Sequence, residues 1–197
     1  MNLREFRSQL QKIEKRLPGR TSWHFVCDGS PLTCRIFIVG ANPVRQVEKF
    51  WDLDFWTDSR GFRKTEFAPE LEDLSGRRTK TRKYIDIVAD AAGRRDTLDT
   101  NIYPYAAPRA SDLTAEQKRT DIFEYLLHTI KPRIVLAHGC PAKKFFSERG
   151  ITLVEDRLKS INLDGLRIKL LPRKHLSFQT SHEEARKIGR KLARALG

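Results

Sequence analysis

The sequence predicts an α/β protein, a three-layer α/β/α sandwich around a short, mainly parallel central sheet. Two segments carry an apolar run that leads into glycine: strand 35–39, with Ile36–Val39 apolar before Gly40, and 133–139, which reads RIVLAHG. Such runs are typical of strands that are buried on both faces of a parallel sheet. Segments with apolar residues three or four apart alternate with these runs and predict helices. Strands that alternate with helices indicate an α/β fold.

The first half of the chain contains two predicted helices and three predicted strands. Helix 2–17 has one apolar stripe and ends at Pro18-Gly19. Segment 44–67 is aromatic and charged and fits neither a helical nor a strand period, so we expect a loop there. The other predicted elements are a short strand around Trp23–Val26, the central strand 35–39, a helix at 79–92 and a strand near 98–102.

The second half continues the alternation. Thr114–Gln117 and Ser181–Glu184 read as capping boxes, the first opening a helix through Ile130 and the second opening the last helix. Asp164-Gly165 is typical of a hairpin turn. The remaining predicted elements are strand 133–139, helix 141–148, a short strand at 151–154 and strand 166–171.

Length and composition favour one domain, 1–197, with residues 1–20 as an N-terminal helix that packs on it. Three unpaired cysteines, Cys27, Cys34 and Cys140, argue against a disulfide framework and a structural zinc. No apolar run is long enough for a membrane span and the amino terminus does not resemble a signal peptide. We therefore expect a cytoplasmic monomer (nucleoid-associated in a bacterium) without a membrane partner.

Charge is the one unusual feature of the composition. The formal net charge is +13, which favours polyanionic partners, of which nucleic acid is the commonest. Residues 77–83 hold five cations in seven positions, and 173–194 hold seven cations against two acids. A generally basic, soluble surface is the alternative interpretation, because net charge carries no information about specificity.

Polar side chains that can bind a ligand or take part in a reaction follow three of the predicted strands. They are Asn42, Asn101, and His175 with Ser177. The carboxyl ends of parallel strands share one edge of a sheet, so these groups can converge there. The sequence lacks a nucleophile elbow, ligand-spaced histidines and the glycine patterns of phosphate loops. We therefore expect no metal and no cofactor.

These motifs resemble those of the uracil-DNA glycosylase superfamily. The first motif of that family is matched by Gly40-Ala41-Asn42-Pro43, the middle one by Thr100-Asn101 with the loop Pro104–Pro108, and the last by His175-Leu176-Ser177. Phe55 stands 13 positions after Asn42, where the family has an aromatic residue that stacks on the flipped base. The resemblance covers residues 35–196.

The resemblance implies a glycosylase that hydrolyses the N-glycosidic bond of uracil or another deaminated base flipped out of DNA. Asn42 and His175 would be the catalytic residues, one positioning water and the other polarising the base oxygen. Asn101 would read the base edge and Phe55 would stack on the base. Ser177 and the backbone around Gly40, Ala41 and Pro43 would hold the phosphates that flank the flipped nucleotide. The cations expected to contact DNA are Arg77, Arg78, Lys80, Arg82, Lys83, Arg109, Arg173 and Lys174.

The sequence departs from the family pattern at two motifs, and its cysteines do not suit the iron–sulfur branches. Asn42 stands where many members have Asp, so we expect no water activation by a carboxylate and a slow reaction. Phe178-Gln179 follows the last motif, which leaves the wedge residue that fills the DNA gap unassigned. Three cysteines do not suffice for an iron–sulfur cluster. Two alternatives stay open: a non-catalytic nucleic-acid-binding protein of the same fold, and an unrelated α/β enzyme acting on a small phosphorylated substrate.

Overall fold

The computed structural model describes residues 1–52, 54–72, 78–178 and 180–197. Over these ranges the protein is a mixed α/β fold with a six-stranded, mostly parallel sheet, a two-stranded sheet and six α-helices. The helices are α1 Leu3–Glu14, α2 Lys64–Phe67, α3 Lys80–Ala92, α4 Asp121–Ile130, α5 Cys140–Ser147 and α6 His182–Leu196. The strands are β1 Phe25–Cys27, β2 Ile36–Gly40, β3 Trp56–Thr57, β4 Gly61–Phe62, β5 Thr97–Asn101, β6 Ile134–His138, β7 Lys159–Leu163 and β8 Leu166–Arg173.

The large sheet has the order β1-β5-β2-β6-β8-β7. Its four central strands, β5, β2, β6 and β8, are parallel, and the edge strands β1 and β7 pair antiparallel with their neighbours. The chain passes from β2 to β5 on one side and then returns to β6 on the other. Such a reversal of strand order leaves a crevice at the carboxyl ends of the strands, where open α/β folds bind ligands.

Alternate residues of the central strands enter two separate hydrophobic clusters. Ile36 and Ile38 of β2 pack in one cluster with residues of α3 and α6. Phe37 and Val39 pack in the other cluster, which contains residues of α1, α4 and α5. Both sets are completely buried, which confirms that the apolar run at 35–39 is a strand buried on both faces.

Side-chain caps fix the start of three helices. Asn2 and Glu5 form a reciprocal capping box at α1, Thr79 accepts from the Arg82 N–H at α3, and Ser181 accepts from the Glu184 N–H at α6. The hairpin between β7 and β8 turns at Asp164-Gly165, and both residues have positive φ, as the predicted turn requires.

In the second half of the chain, the structure differs from the sequence-based prediction in three places. Thr114 and Gln117 do exchange hydrogen bonds, but they close an isolated turn, and α4 begins only at Asp121. Residues 151–154 form no strand, although Ile151 and Leu153 pack against the core. The sheet gains β7 instead, whose sequence KSINL buries only Ile161 and Leu163 and so lacks an apolar signal.

Two further differences concern the first half of the chain. Helix α1 ends at Glu14, three residues short of the predicted end, because the following residues turn before Pro18. Segment 44–67 is not entirely a loop, since it contains the strands β3 and β4 and the whole of helix α2. None of the helices in the described residues is both long and apolar enough to cross a membrane.

Candidate active site

A cleft of about 830 Å³ opens at the carboxyl ends of β2, β5 and β6. Its volume lies in the range of small-molecule sites, about 300–1,000 Å³. It brings together the loop after β2, the end of β5, the end of β6 and the segment after β8. The residues that line it include Gly40, Ala41, Asn42, Pro43, Asn101 and His175, all of which the sequence predicts as site residues.

Asn42 is held by the loop that follows β5. Its Nδ2 donates to the carbonyl oxygens of Ala107, at 2.7 Å, and Pro43, at 2.8 Å. The two loops are also joined by backbone hydrogen bonds from Tyr103 to Ala41 and from Ala107 to Pro43, both 2.9 Å. Because both side-chain partners are acceptors, the NH₂ group of Asn42 is used structurally. Its Oδ1 is the atom that can accept a hydrogen bond from a water molecule.

Asn101 lies beside Gly40 in the sheet register. A Cβ atom on Gly40 would stand 2.9 Å from Asn101 Oδ1 and 3.4 Å from His138 Nε2. The distance to Asn101 Oδ1 is shorter than an ordinary van der Waals contact. The Nδ2 of Asn101 is buried and has no hydrogen-bond partner among the described residues. An unpartnered buried amide is costly unless a ligand or water satisfies it, so Asn101 is well suited to bind one.

His175 is half-buried, and its orientation depends on Ser177. The Ser177 hydroxyl lies 2.7 Å from Nδ1, and the Ser177 backbone N–H donates to the same nitrogen at 3.4 Å. Nδ1 therefore acts as an acceptor, which places the ring proton on Nε2. Burial lowers the pKa of His175, so the ring is a neutral donor.

His138, at the end of β6, is a cleft residue that the sequence analysis did not select. It is 1% exposed, and neither ring nitrogen has a hydrogen-bond partner in the described part of the chain. Burial, together with the charges of His175 and Arg82, lowers its pKa to about 3. The two histidine rings meet edge to face with centroids 5.1 Å apart. The sequence feature that could have identified His138 as a site residue is its position immediately before Gly139, at the end of a predicted strand.

Arg82 was predicted to contact DNA, and the structure corrects this. Its side chain is 6% exposed and pairs with Asp99 on β5 and with Asp86, the latter at 3.0 Å. Burial raises the pKa of Asp99, opposed by the charge of Arg82. Because Arg82 pairs with Asp99, it neutralises a buried carboxylate. Both residues form part of the cleft wall.

Phe55 was predicted to stack on a flipped base, and the structure does not bring it to the cleft. Its ring packs edge to face on Phe67, with centroids 5.2 Å apart, and contacts the hydrophobic cluster on the α1 side of the sheet. Other aromatic residues of the same segment, Phe50, Trp56 and Phe62, are buried in that cluster. Phe55 is therefore a partly buried residue that packs against the core. Ser177, which was predicted to hold a phosphate, is hydrogen-bonded to His175.

The other predicted DNA contacts fall into two groups. Arg173 is 15% exposed and forms ion pairs with Asp156 and Glu184, which corrects the prediction of a free surface cation. Arg77 lies outside the described residues. Of the cations predicted to contact DNA, the exposed ones are Arg78, Lys80, Lys83, Arg109 and Lys174. Arg109 lines the cleft itself, and Thr79 and Thr81, which flank Lys80, also line it.

No protein-family model matches the chain, and no curated protein matches it either.

Proposed function

We propose that the protein is a DNA N-glycosylase that hydrolyses the bond between deoxyribose and a deaminated base. The observation that carries this proposal is the meeting of Asn42, Asn101 and His175 in one cleft, although 133 positions separate the first from the last in the sequence. The fold that we propose for it is a three-layer α/β/α sandwich, supported by the two hydrophobic clusters on either side of β2.

The reaction breaks the bond between C1′ of the sugar and a ring nitrogen of the base. The bonding electrons leave with the base, and their negative charge spreads onto a base carbonyl oxygen. His175 Nε2–H donates to that oxygen, an interaction worth about 2.7–4 kcal/mol in comparable sites. Water that donates to Asn42 Oδ1 adds to C1′ and releases its proton to solvent. An amide accepts no full proton, so we expect slow turnover.

Asn101 reads the edge of the base. Its amide offers a donor and an acceptor side by side, which match one carbonyl and the neighbouring ring N–H of a deaminated base. The base must leave the stack to reach the cleft, at a cost of a few kcal/mol. A hydrogen bond from Asn101 Nδ2, which has no partner within the part of the chain that the structure describes, offsets part of this cost.

DNA is the partner that we propose, and the protein is expected to act as a monomer without a metal. The support is Arg109, an exposed cation that lines the cleft, and the exposed Lys80 and Lys83 of α3, together with the net charge of +13. These groups are suited to phosphate contacts, which position a duplex without reading its sequence.

The experiment is a panel of oligonucleotides that carry one uracil, hypoxanthine or xanthine, incubated with the protein and then treated with alkali. Strand breaks with the wild-type protein that are lost in Asn42→Ala support the glycosylase. Salt-sensitive duplex binding without any abasic product would instead favour the non-catalytic binder. The absence of DNA affinity at low salt would favour an enzyme acting on a small phosphorylated substrate.

A further inference from the structure

Three neighbouring strands place polar side chains in a row across Gly40. Asn101 on β5 and His138 on β6 lie on either side of it, and because Gly40 has no side chain, both approach the place that its Cβ would take. Asn101 Oδ1 is the amide atom nearest to the position of a Cβ on Gly40, Nδ2 is farther from it, and His138 turns its Cε1–Nε2 edge toward the same position. The order along the row is therefore Asn101 Nδ2, Asn101 Oδ1, His138 Nε2.

This row has a defined hydrogen-bonding pattern. Nδ2 is a donor and Oδ1 an acceptor. His138 is neutral above a pKa of about 3, and neither ring nitrogen is committed to a partner in the described residues. A ligand oxygen at Nε2 selects the tautomer with the proton on that nitrogen, because no acceptor among the described residues competes for the proton at Nδ1. The pattern is then donor, acceptor, donor.

We infer that His138 is a second catalytic donor, which binds the carbonyl oxygen that gains negative charge as the base departs. The inference rests on the proposed function. A carbonyl oxygen has two lone pairs, and the edge-to-face contact of His138 with His175 places two neutral imidazoles beside one another in the cleft. Together they form a two-donor site for the developing oxyanion.

The same row defines the substrate class. Donor, acceptor, donor is complementary to an imide edge, which presents a carbonyl, an N–H and a second carbonyl. Uracil and xanthine carry this edge. Hypoxanthine has a C–H in place of the second carbonyl and leaves His138 without an acceptor. The base released should therefore be an imide, and uracil and xanthine should be preferred to hypoxanthine.

The test compares single-turnover rates of wild type, His138→Phe and His138→Gln on duplexes that carry uracil, 5-fluorouracil, xanthine or hypoxanthine. His138→Phe keeps an aromatic ring of similar shape without a donor and should slow uracil release about 10²–10³-fold. His138→Gln keeps a neutral donor and should retain more activity. His128→Phe, at an exposed histidine on α4, is the control and should match wild type. Thermal melting checks that each variant is folded.

The 5-fluorouracil substrate separates a catalytic role from a structural one. Fluorine stabilises negative charge on the departing base, so the loss in His138→Phe should be smaller for 5-fluorouracil than for uracil. An equal loss on both substrates, an unchanged rate in His138→Phe, or a wild-type preference for hypoxanthine over xanthine would each overturn the role of His138. Wild-type protein that releases no base from any duplex would overturn the proposed function, and this inference with it.

Discussion

At the scale of single residues, Gly40 determines how much room the cleft has. Its φ is not positive, so the backbone there tolerates other residues. What excludes a side chain is the proximity of Asn101 and His138 to the Cβ position. Gly40 is therefore needed because a side chain there would occupy the space for a ligand. Gly165, with φ of 84° and no atom of the described residues near its Cβ position, is needed for the hairpin turn instead.

Gly40→Ala should remain folded and lose base release. The new methyl group displaces the Asn101 amide and occupies the space above β2, so we expect a rate at least about 10²-fold lower, because a misplacement of about 1 Å can cost that much. Gly165→Ala is the matched control: it should lose about 1–2 kcal/mol of stability through its left-handed backbone and keep full activity. Melting curves and single-turnover rates measure both effects. A fully active Gly40→Ala would contradict the assignment.

At the scale of elements, α3 divides its cations between two tasks. Arg82 faces the sheet and pairs with Asp99 of β5 and Asp86. Lys83, the next residue, is exposed. Helix α3 also packs closely on α6, since a Cβ on Gly189 would stand 2.5 Å from the Val88 carbonyl oxygen. Arg82 therefore fixes the helix against the cleft wall, and its neighbour is available to a phosphate.

Arg82→Ala should destabilise the protein by about 3–5 kcal/mol, because it leaves the Asp99 carboxylate buried without its partner. Lys83→Ala should change stability by less than about 0.5 kcal/mol and weaken duplex binding instead. Denaturant unfolding measures the first effect. The salt dependence of binding measures the second, with a slope that falls by about one for each lost phosphate contact. The reverse pattern, a stable Arg82→Ala with weak DNA binding, would restore Arg82 as a DNA contact.

At the scale of the whole molecule, buried ionisable groups link stability to pH. Burial, with the nearby charges of His175 and Arg82, lowers the pKa of His138 to about 3 from an ordinary value near 6.5. Burial raises the pKa of Glu14, but His24, together with hydrogen bonds from Thr21 and Trp51, outweighs it and brings the value to about 2. Between the folded-state and the unfolded-state pKa of each group, the folded protein therefore binds fewer protons at that group than the unfolded chain does.

The free energy of unfolding should therefore fall as the pH is lowered from about 6.5 to 3 on account of His138, and from about 4.5 to 2 on account of Glu14. Above pH 7 both contributions are complete. Denaturant unfolding at a series of pH values measures this, and His138→Phe should show a shallower decline than wild type between pH 6.5 and 4.5, where His138 contributes and Glu14 does not. An identical slope in wild type and variant would show that His138 is not buried as a neutral ring.

Much of this arrangement could be predicted from the sequence. The apolar runs before Gly40 and Gly139 identified the central strands, and the polar residues at strand exits identified Asn42, Asn101 and His175, because parallel strands end at one edge. The sequence does not show which side chain lies next to which. Arg82 resembles a surface cation until Asp99 is found beside it, and His138 resembles any histidine until the register places it across Gly40 from Asn101.

The most direct test of the central claim is mass-spectrometric detection of the free base released from a duplex that carries a single uracil. The wild-type protein should release uracil and leave an abasic strand in equal amount. Asn42→Ala and His175→Ala should release it at least about 10²-fold more slowly while binding the same duplex. Wild-type release no faster than the spontaneous reaction, or variants as fast as wild type, would contradict the account.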